Sequence, residues 1–314
     1  MRVDHGLVAR RDGDAPVVLT IGNFDGVHRG HQALLADVSR VAREAAAEAT
    51  VVTFDPHPRC VLDPAHCPQS LTVPSEKSSR LEACAVDRLV VLPFTREVSR
   101  WSAEQFCDLL VASFDVAALV VGHDFALGRK RQGDFEFLRA YGGCHGFPVA
   151  QVDVVTAGLP EPVSSSAIRA LLSEGDVLAA SVQLGYPYLL DGVVEHGDEV
   201  GRHLGFPTAN LGVPVGKCLP APGVYAMWVH IDGDWRMAAT NVGYRPTFGG
   251  DRITVEAYVL DYDGDLYGRE LRAAFVERLR EERKYPGVDE LVRQIVQDVD
   301  EVRAMLRQAP RPAL

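Results

Sequence analysis

The chain has 314 residues, of which 47% are hydrophobic and 24% are charged, and its formal net charge is −11. This length is enough for two domains with separate cores, and the acidic balance argues against nucleic acid or an anionic membrane as a partner. The sequence shows no long apolar run and no signal peptide, because its first residues are polar and mixed in charge. We therefore expect a cytoplasmic protein.

In chain order, the first half alternates buried strands with helical segments. Strands are predicted at residues 17–21, 51–54, 88–92 and 119–122, and helices at residues 32–49, 102–113 and 133–141. The Ala- and Glu-rich tract 44–48 is interpreted as part of the first of these helices. This alternation predicts a parallel sheet with helices on its faces and with ligands at the carboxyl ends of the strands.

The loop after the first predicted strand carries a candidate phosphate site. His28 and His31 stand three apart around Gly30, where the first helix begins. Unpaired N–H groups and the positive end of the helix dipole attract an anion there, and Gly30 has no Cβ to block a phosphate. The alternative is that the histidines only cap the helix.

This HxGH signature resembles that of nucleotidylyltransferases, and the run GNFDGVHRGHQ around it resembles the N-terminal half of bacterial bifunctional riboflavin kinase/FAD synthetases. In that family the histidines contact the reacting phosphates during adenylyl transfer from ATP to FMN. The resemblance assigns this ATP site to Gly22, Phe24, Asp25, Gly26, His28, Gly30 and His31.

The loop after the second predicted strand resembles the family's FMN pocket. A proline-stiffened turn is the alternative interpretation of this segment. The resemblance assigns flavin binding to Phe54, Asp55, Pro56, His57 and Pro58.

Six cysteines are spread over the chain without a C-x-x-C pair, which predicts reduced thiols rather than a disulfide framework. Cys60 and Cys67 lie near His57 and His66, so a zinc site is an alternative. The spacing is not that of a standard structural zinc site and prolines interrupt the segment, so we expect no metal there.

Residues 121–133 match the family's GxNFxFGxxRxG segment with two departures. Asp124 stands where the family has asparagine, and Leu127 replaces its second phenylalanine. The matching position places Asp124 in the ATP site. An amide can donate a hydrogen bond to a phosphate, whereas a carboxylate only accepts and repels a triphosphate. The basic residues 129–131 are candidates to offset the repulsion between the Asp124 carboxylate and the triphosphate.

Residues 163–169 resemble the family's ISSTxIR segment. Ser166 is placed to cap a helix, which is a structural role. Arg169 near the start of that helix opposes the helix dipole unless an anion neutralises it. The resemblance therefore implies that Ser166 and Arg169 bind the part of ATP that leaves as pyrophosphate.

The second half has short alternating runs separated by Gly, Pro, Asp and Asn. Strands are predicted at residues 189–195, 223–231, 235–242, 253–260 and 270–278, followed by a helix at residues 288–307. This pattern predicts a small antiparallel barrel with a C-terminal helix.

Residues 192–210 resemble the riboflavin kinase signature, in which a glycine-bearing loop precedes G-F-P-T-A-N. Glycines let backbone N–H groups approach ATP, and the oxygens of Thr208 and Asn210 are hard ligands suited to Mg²⁺. The resemblance assigns ATP binding to Gly197, Gly201, Arg202, Gly205, Phe206, Pro207, Thr208 and Asn210, with Thr208 and Asn210 as metal ligands.

Residues 241–248 and 253–261 continue the match. Val255 and Ala257 share one face of a strand, which places Glu256 on the other face. Glu256 matches the family's catalytic base, which takes the proton of the riboflavin hydroxyl as it attacks the γ-phosphate of ATP. A charge that simply faces solvent is the alternative. The run 267–285 resembles the flavin site, with Arg280 and Glu282 as flavin-binding residues.

The resemblance spans nearly the whole chain. It implies an α/β nucleotidylyltransferase domain of the Rossmann-like, HxGH type over residues 1–185, and a riboflavin kinase barrel over residues 186–314. Such an enzyme uses ATP as co-substrate with Mg²⁺ to convert riboflavin to FMN and FMN to FAD. Because of Asp124, a second hypothesis stays open, in which the chain is a riboflavin kinase whose N-terminal domain is a weak nucleotide-binding, flavin-binding or regulatory module. The sequence also leaves open a homo-oligomer.

Overall fold

The computed structural model describes residues 1–154, 156, 158, 162–197, 200–247 and 250–312. Internal packing divides the chain into two compact units. The first consists of Met1–Gln69 and Lys77–Val163, and the second of Ser70–Glu76 and Ser164–Leu314. In the described part of the chain, every helix is too short or too polar to cross a membrane.

The first unit is built on a six-stranded parallel sheet with the strand order β1-β4-β3-β2-β5-β6. The strands are β1 (Arg2–His5), β2 (Val17–Ile21), β3 (Glu48–Asp55), β4 (Arg88–Pro93), β5 (Val116–Gly122) and β6 (Val149–Val152). The helices are α1 (Arg29–Glu44), α2 (Pro58–Leu62), α3 (Pro74–Ala83, which belongs to this unit from Lys77 onward), α4 (Ala103–Ser113) and α5 (Phe135–His145). Short 3₁₀ turns lie at Pro64–His66, Val98–Arg100 and Arg129–Arg131.

Two hydrophobic cores cover the two faces of this sheet. Val17, Leu19 and Ile21 of β2 pack in one core with residues of α4. Val18 of the same strand packs in the other core with residues of α1. A parallel sheet needs cover on both faces. The helices supply that cover by packing on the apolar residues of the strands. The predicted α/β architecture is confirmed.

The helix predicted over residues 32–49 is wrong at its C-terminal end. Ala46 adopts a left-handed φ of 50°, and the chain leaves the helix after Glu44. Glu48 and Ala49 then pair with β2 as the first residues of β3. Strand pairing therefore outweighs the high helix propensity of Ala and Glu in the tract 44–48.

Cys60 and Cys67 form a disulfide, so the prediction of six reduced thiols is wrong. The chain folds back through α2 and the turn Pro64–His66, which brings the two Cα atoms within 4.3 Å. The Cys60 and Cys67 sulfurs, which the alternative zinc site would use as ligands, are therefore bonded to each other. His66 Nδ1 lies 2.9 Å from Asp63 Oδ2. The free cysteines are Cys84, Cys107, Cys144 and Cys218.

The second unit contains a closed barrel with the strand order β10-β11-β8-β7-β12-β9, and its neighbouring strands pair antiparallel. The strands are β7 (Tyr188–Glu195), β8 (Ala209–Leu211), β9 (Gly223–Ile231), β10 (Asp234–Thr247), β11 (Gly250–Val259) and β12 (Glu270–Arg280). The helices are α6 (Ser165–Glu174), α7 (Val177–Leu184), α8 (Val200–His203) and α9 (Val288–Gln308). The predicted barrel with a C-terminal helix is confirmed.

Helix α9 packs on the barrel through one apolar stripe. Val302 and Leu306 are buried against Trp228 and Ala274 in a common core. The stripe recurs every three or four residues along the helix, as a helix with one buried face requires.

The segment Ser70–Glu76 is fixed to the barrel by a buried ion pair. Lys217 Nζ donates to Glu76 Oε2 at 2.5 Å and to the Leu71 carbonyl at 2.8 Å, and both charged side chains are inaccessible to solvent. Glu76 Oε1 also accepts the backbone N–H of Asp191 in β7 at 2.9 Å. The carboxylate thus has partners on both of its oxygens.

Candidate active sites

His28 and His31 lie together where α1 begins. His28 is the N-cap residue, its Nδ1 accepts the backbone N–H of His31 at 3.4 Å, and the two rings stack with centroids 3.7 Å apart. A Cβ on Gly30 would lie 3.2 Å from the His28 ring, which explains the glycine between the histidines. The helix-cap interpretation is therefore correct for His28, and it leaves the imidazoles beside an anion-attracting helix end.

Both imidazoles are neutral near pH 7. Burial lowers the pKa of His28 to about 4. Burial also lowers the pKa of His31 well below its ordinary value, and electrostatic interactions with His28 and Lys77 lower it further. The buried Nδ1 atom of His31 has no hydrogen-bond partner among the described residues. The pair is thus suited to hydrogen bonding with a ligand rather than to charge neutralisation.

The loop after β2 wraps around these rings. Phe24 is buried with a φ of 47°, and its ring centroid lies 5.1 Å from that of His31. A Cβ on Gly22 would lie 3.1 Å from the Phe24 ring, and Gly26 has a φ of 81°. Asp25 is buried in the same loop. The structure therefore brings the sequence-predicted residues of this loop together.

Lys77 is a residue of this site that sequence reasoning missed. Its Nζ donates to the carbonyl of Asn23 at 2.8 Å, and Thr53 Oγ1 donates to the same carbonyl at 3.1 Å. Burial lowers the pKa of the Lys77 ammonium, whereas the charges of Asp25 and Asp55 act to raise it. No motif surrounds Lys77, so only the packing of α3 reveals its position.

The candidate flavin loop leaves the carboxyl end of β3. Phe54 makes an edge contact with Phe94, with ring centroids 5.4 Å apart. The Asp55–Pro56 peptide bond is cis, and His57 caps α2, whose first residue is Pro58. The proline-stiffened turn is present in the structure, and flavin binding by its side chains remains a prediction.

The two departures from the family pattern occupy different environments. Leu127 is buried in the core of the first unit and pairs with Gly133 by two backbone hydrogen bonds of 3.0 and 2.9 Å. The Asp124 side chain is 82% exposed, and Arg131 Nη2 donates to the Asp124 carbonyl at 2.6 Å. Leu127 thus keeps an apolar core position, while the Asp124 charge faces water.

Helix α6 begins differently from the prediction. Ser164, rather than Ser166, is the N-cap residue, and its Oγ accepts the backbone N–H of Ala167 at 3.1 Å. Ser164 alone has the extended conformation of a cap, with φ −146° and ψ 152°. Ser166 is exposed in the first turn and Arg169 is half-buried. Both lie in the second unit, whereas the histidines lie in the first.

In the barrel, the glycine-bearing loop approaches the G-F-P-T-A-N segment closely. A Cβ on Gly197 would overlap the side-chain amide of Asn210, and a Cβ on Gly201 would overlap the carbonyl of Phe206. Gly205 has a φ of 87°. The glycines are thus required by close packing around the predicted ATP loop. Asp198, Glu199 and Phe248 of the motifs lie outside the described residues, as does the side chain of Arg202.

Thr208 and Asn210 line a cavity of about 490 Å³. Pro207 also lines it, as do Tyr262 and Asp265, which sequence reasoning did not assign to the site, and Tyr267, the first residue of the matched run 267–285. The Tyr267 ring stacks on His196 with centroids 3.9 Å apart. Two neutral oxygen donors beside a cavity of this size fit Mg²⁺ bound mainly through nucleotide phosphates.

Glu256 lies in a row of polar residues across three strands. Its register partners are Asn210 on β8 and Asn241 on β10. Directly opposite residues have Cβ atoms about 4.5–5.5 Å apart, so the three side chains lie side by side. Asn241 Nδ2 donates to Glu282 Oε1 at 3.2 Å, which adds a third predicted residue to the row. Asn241 was not among the predicted site residues.

Arg280 is held by helix α9. Its Nε and Nη2 donate to the two carboxylate oxygens of Asp298 at 2.9 and 2.6 Å. Gln294 donates to the same carboxylate at 2.9 Å. These bonds fix the guanidinium near the Tyr285 ring, at 5.9 Å from its centroid. Flavin binding by Arg280 and Glu282 remains a prediction.

Comparisons with known proteins match both units. The family model described as FAD synthetase matches residues 11–167, and the one described as Riboflavin kinase matches residues 184–306. The chain is 39% identical over 284 residues to the bifunctional riboflavin kinase/FMN adenylyltransferase of Escherichia coli K12, with 90% of each chain covered.

The protein of the same description from Pseudomonas fluorescens is 39% identical over 308 residues, covering 97% of this chain and 98% of the relative. A crystal structure described as a macrolide-efflux protein from Streptococcus pneumoniae matches with a TM-score of 0.87 and 29% identity. That match covers 96% of this chain and 99% of the other. The fold of nearly the whole chain therefore has a solved counterpart.

Proposed function

This chain belongs to the family of bifunctional riboflavin kinase/FMN adenylyltransferases, and we propose that residues 186–314 carry the kinase and residues 1–185 the adenylyltransferase. The enzyme phosphorylates riboflavin to FMN with ATP and then adenylylates FMN to FAD with release of pyrophosphate. The match of residues 11–167 to FAD synthetase favours this function over a kinase alone. The two family matches on one chain are the observation that carries the conclusion.

In the kinase reaction, Glu256 takes the proton of the ribityl hydroxyl while that oxygen attacks the γ-phosphorus of ATP. The bond from the γ-phosphorus to the bridging oxygen breaks, and ADP leaves. The position of Glu256 beside Asn210 supports this role. Thr208 and Asn210 would hold Mg²⁺, which neutralises phosphate charge when bound. Arg280 and Glu282 orient the flavin.

In the adenylyltransferase reaction, a phosphate oxygen of FMN attacks the α-phosphorus of ATP, and pyrophosphate leaves with the electron pair of the broken bond. His28 and His31 donate hydrogen bonds to the reacting phosphates as neutral imidazoles, which their lowered pKa values support. The family resemblance gives Ser166 and Arg169 a role at the pyrophosphate end of ATP, and the loop from Phe54 to Pro58 receives the flavin. We also propose a cytoplasmic location, because both reactions consume ATP.

The function is tested by two substitutions that each remove one reaction. Glu256→Gln should lower FMN formation by about 10²–10⁴-fold, because a general base typically contributes that much. FMN supplied directly to the same preparation should be adenylylated at the unmodified rate. His31→Ala should lower FAD formation from FMN by about 10²–10³-fold, as for a lost transition-state hydrogen bond, with FMN formation unchanged.

Matched controls make the same chemical changes at exposed positions. Glu270→Gln alters another glutamate of a barrel strand, and His145→Ala alters an exposed histidine of the first unit. Both should leave the two rates unchanged. A loss of both reactions in either test variant would contradict separate sites, and near-normal kinase turnover in Glu256→Gln would remove Glu256 from its role.

A further inference from the structure

The adenylyltransferase site needs a cation that its signature histidines do not provide. Adenylyl transfer brings the phosphate of FMN against the triphosphate of ATP, so several negative charges meet in one place. His28 and His31 are neutral near pH 7, because burial lowers the pKa of each imidazole. They can donate hydrogen bonds, but they add no positive charge.

Lys77 brings an ammonium group to the carboxyl edge of the sheet. Its Nζ donates to the carbonyl of Asn23, in the loop after β2, at 2.8 Å. The hydroxyl of Thr53, near the end of β3, donates to the same carbonyl at 3.1 Å. The ammonium therefore lies between the predicted nucleotide loop and the strand that leads into the predicted flavin loop.

The hydrogen bonds of this ammonium are incomplete. A protonated lysine has three N–H donors. Within the part of the chain that the structure describes, the carbonyl of Asn23 is the one hydrogen-bond partner of Lys77 Nζ. A half-buried ammonium with two donors left over is costly unless a further acceptor reaches it. Asp25 and Asp55 act on this ammonium electrostatically, but among the described residues only the Asn23 carbonyl accepts a hydrogen bond from it, and a phosphate group supplies the further acceptor oxygens.

We propose that Lys77 binds a phosphate group of the adenylyltransferase substrates, with its ammonium supplying the positive charge that the two neutral histidines lack. This inference rests on the proposed function. Lys77 takes no covalent part in the reaction. The phosphate is that of FMN or one of those of ATP, which share the chemistry that Lys77 recognises.

Three substitutions separate charge from positioning. Lys77→Arg keeps the charge, Lys77→Gln keeps an N–H donor for Asn23 without the charge, and Lys77→Met removes both. We expect kcat/KM for FMN adenylylation to fall about 10- to 100-fold in the Gln and Met variants, the usual loss for a hydrogen bond to a charged group. The Arg variant should stay within about threefold of the unmodified chain, because it keeps the charge.

Arg88→Met is the matched control. Arg88 is also a partly buried cation of the first unit, but it lies at the start of β4, at the opposite end of the parallel strands, where it contacts Asp4. This variant should adenylylate FMN normally. Riboflavin kinase turnover of every variant, measured in the same preparation, reports whether the chain has folded.

The kinetic constants identify the bound phosphate. A rise in KM for FMN alone assigns Lys77 to the FMN phosphate, and a rise in KM for ATP alone assigns it to the triphosphate. Normal kinetics in Lys77→Gln would contradict the proposal, because the hydrogen bond to Asn23 would then account for the residue. Equal losses in Lys77→Arg and Lys77→Met would also contradict it, because charge would then have no role.

Calorimetric titration of the full chain with FMN and with pyrophosphate, as separate probes, gives the same comparison without turnover. Weaker binding of either probe in Lys77→Gln than in Arg88→Met supports the proposal, and equal binding of both overturns it. The titration distinguishes failure of the proposed adenylyltransferase activity from failure of the Lys77 phosphate contact. A chain that makes no FAD but binds a probe through Lys77 would refute the adenylyltransferase activity and uphold the phosphate contact.

Discussion

The chemistry that we propose for the N-terminal site depends on imidazoles that stay neutral. His28 is 7% exposed, and its Nδ1 atom accepts the backbone N–H of His31, which a protonated nitrogen could not do. Burial penalises the charged form of His28 and lowers its pKa. The hydrogen bond that Nδ1 accepts also requires the neutral ring. The remaining ring nitrogen of His28 keeps its proton and can donate to a phosphate.

The neutral state of His28 makes stability depend on pH. The folded pKa of about 4 lies below the ordinary 6.5, so the unfolded chain binds a proton first as pH falls. The contribution of neutral His28 to the free energy of unfolding is fully present above pH 6.5. It is lost as pH falls toward 4, by up to about 3 kcal/mol. Urea unfolding at a series of pH values measures it.

The control for this prediction is His28→Asn, because asparagine also caps helices but does not titrate. The variant should lose less unfolding free energy than the unmodified chain between pH 6.5 and 4. Parallel pH profiles for the two proteins would show that His28 is not buried in the neutral form.

Substitution of Asp124 tests whether this departure from the family pattern affects FMN adenylylation. Its side chain is 82% exposed, so water screens its repulsion of a triphosphate. We expect Asp124→Asn to raise kcat/KM for ATP in FMN adenylylation by no more than about fivefold, the scale of an exposed charge interaction. Steady-state kinetics with ATP as the varied substrate measures this.

Asp115→Asn makes the same change at the opposite end of β5 and should have no effect on adenylylation. A gain of two orders of magnitude in Asp124→Asn alone would show that Asp124 silences the site. Loss of FAD formation would instead show that the carboxylate is required.

Among the larger elements, the segment Ser70–Glu76 depends on one buried ion pair. Lys217→Met would leave the buried Glu76 carboxylate without the ammonium group that donates a hydrogen bond to it. Such a loss typically costs about 3–5 kcal/mol of unfolding free energy. Urea unfolding followed by circular dichroism should show this loss, and the double variant Glu76→Gln/Lys217→Met should recover part of it.

The contrast is Arg269→Met, which breaks the exposed pair of Arg269 and Asp232. Water screens an exposed pair, so this variant should be nearly as stable as the unmodified chain. Equal losses in Lys217→Met and Arg269→Met would contradict the importance of burial.

The elements that the sequence predicts are those with a strong hydrophobic pattern. Strand β2 is apolar except for Thr20, and β9 was predicted with its observed bounds, because both are buried throughout most of their length. The edge strands β1 and β6 are missed because their residues are mostly exposed or half-buried and polar residues interrupt them. Pairing with a neighbour, rather than local sequence, makes them strands.

The candidate sites follow the same division. His28, Thr208 and Glu256 stand in motifs and are found from sequence. Lys77 stands in no motif, and Asn241 stands in a matched segment but was not predicted as a site residue; the packing of α3 and the register of β10 bring them to the candidate sites. The misplaced helix cap has a similar cause, since neighbouring serines offer the same hydroxyl and only the backbone conformation selects one of them.

The chain as a whole joins two consecutive reactions. FMN is the product of the kinase and the substrate of the adenylyltransferase, and each reaction uses its own ATP. The first unit has the parallel sheet with the His28–His31 pair, and the second has the barrel with Glu256. Under the proposed function, both sets of residues are needed for the chain to make FAD from riboflavin.

The most direct test is a time course of the unmodified chain with riboflavin, ATP and Mg²⁺, with the flavins separated by chromatography and pyrophosphate measured in parallel. Riboflavin should disappear, FMN should rise and then fall, and FAD should accumulate with one pyrophosphate per FAD. Stoichiometric accumulation of FMN without FAD or pyrophosphate would contradict the bifunctional enzyme.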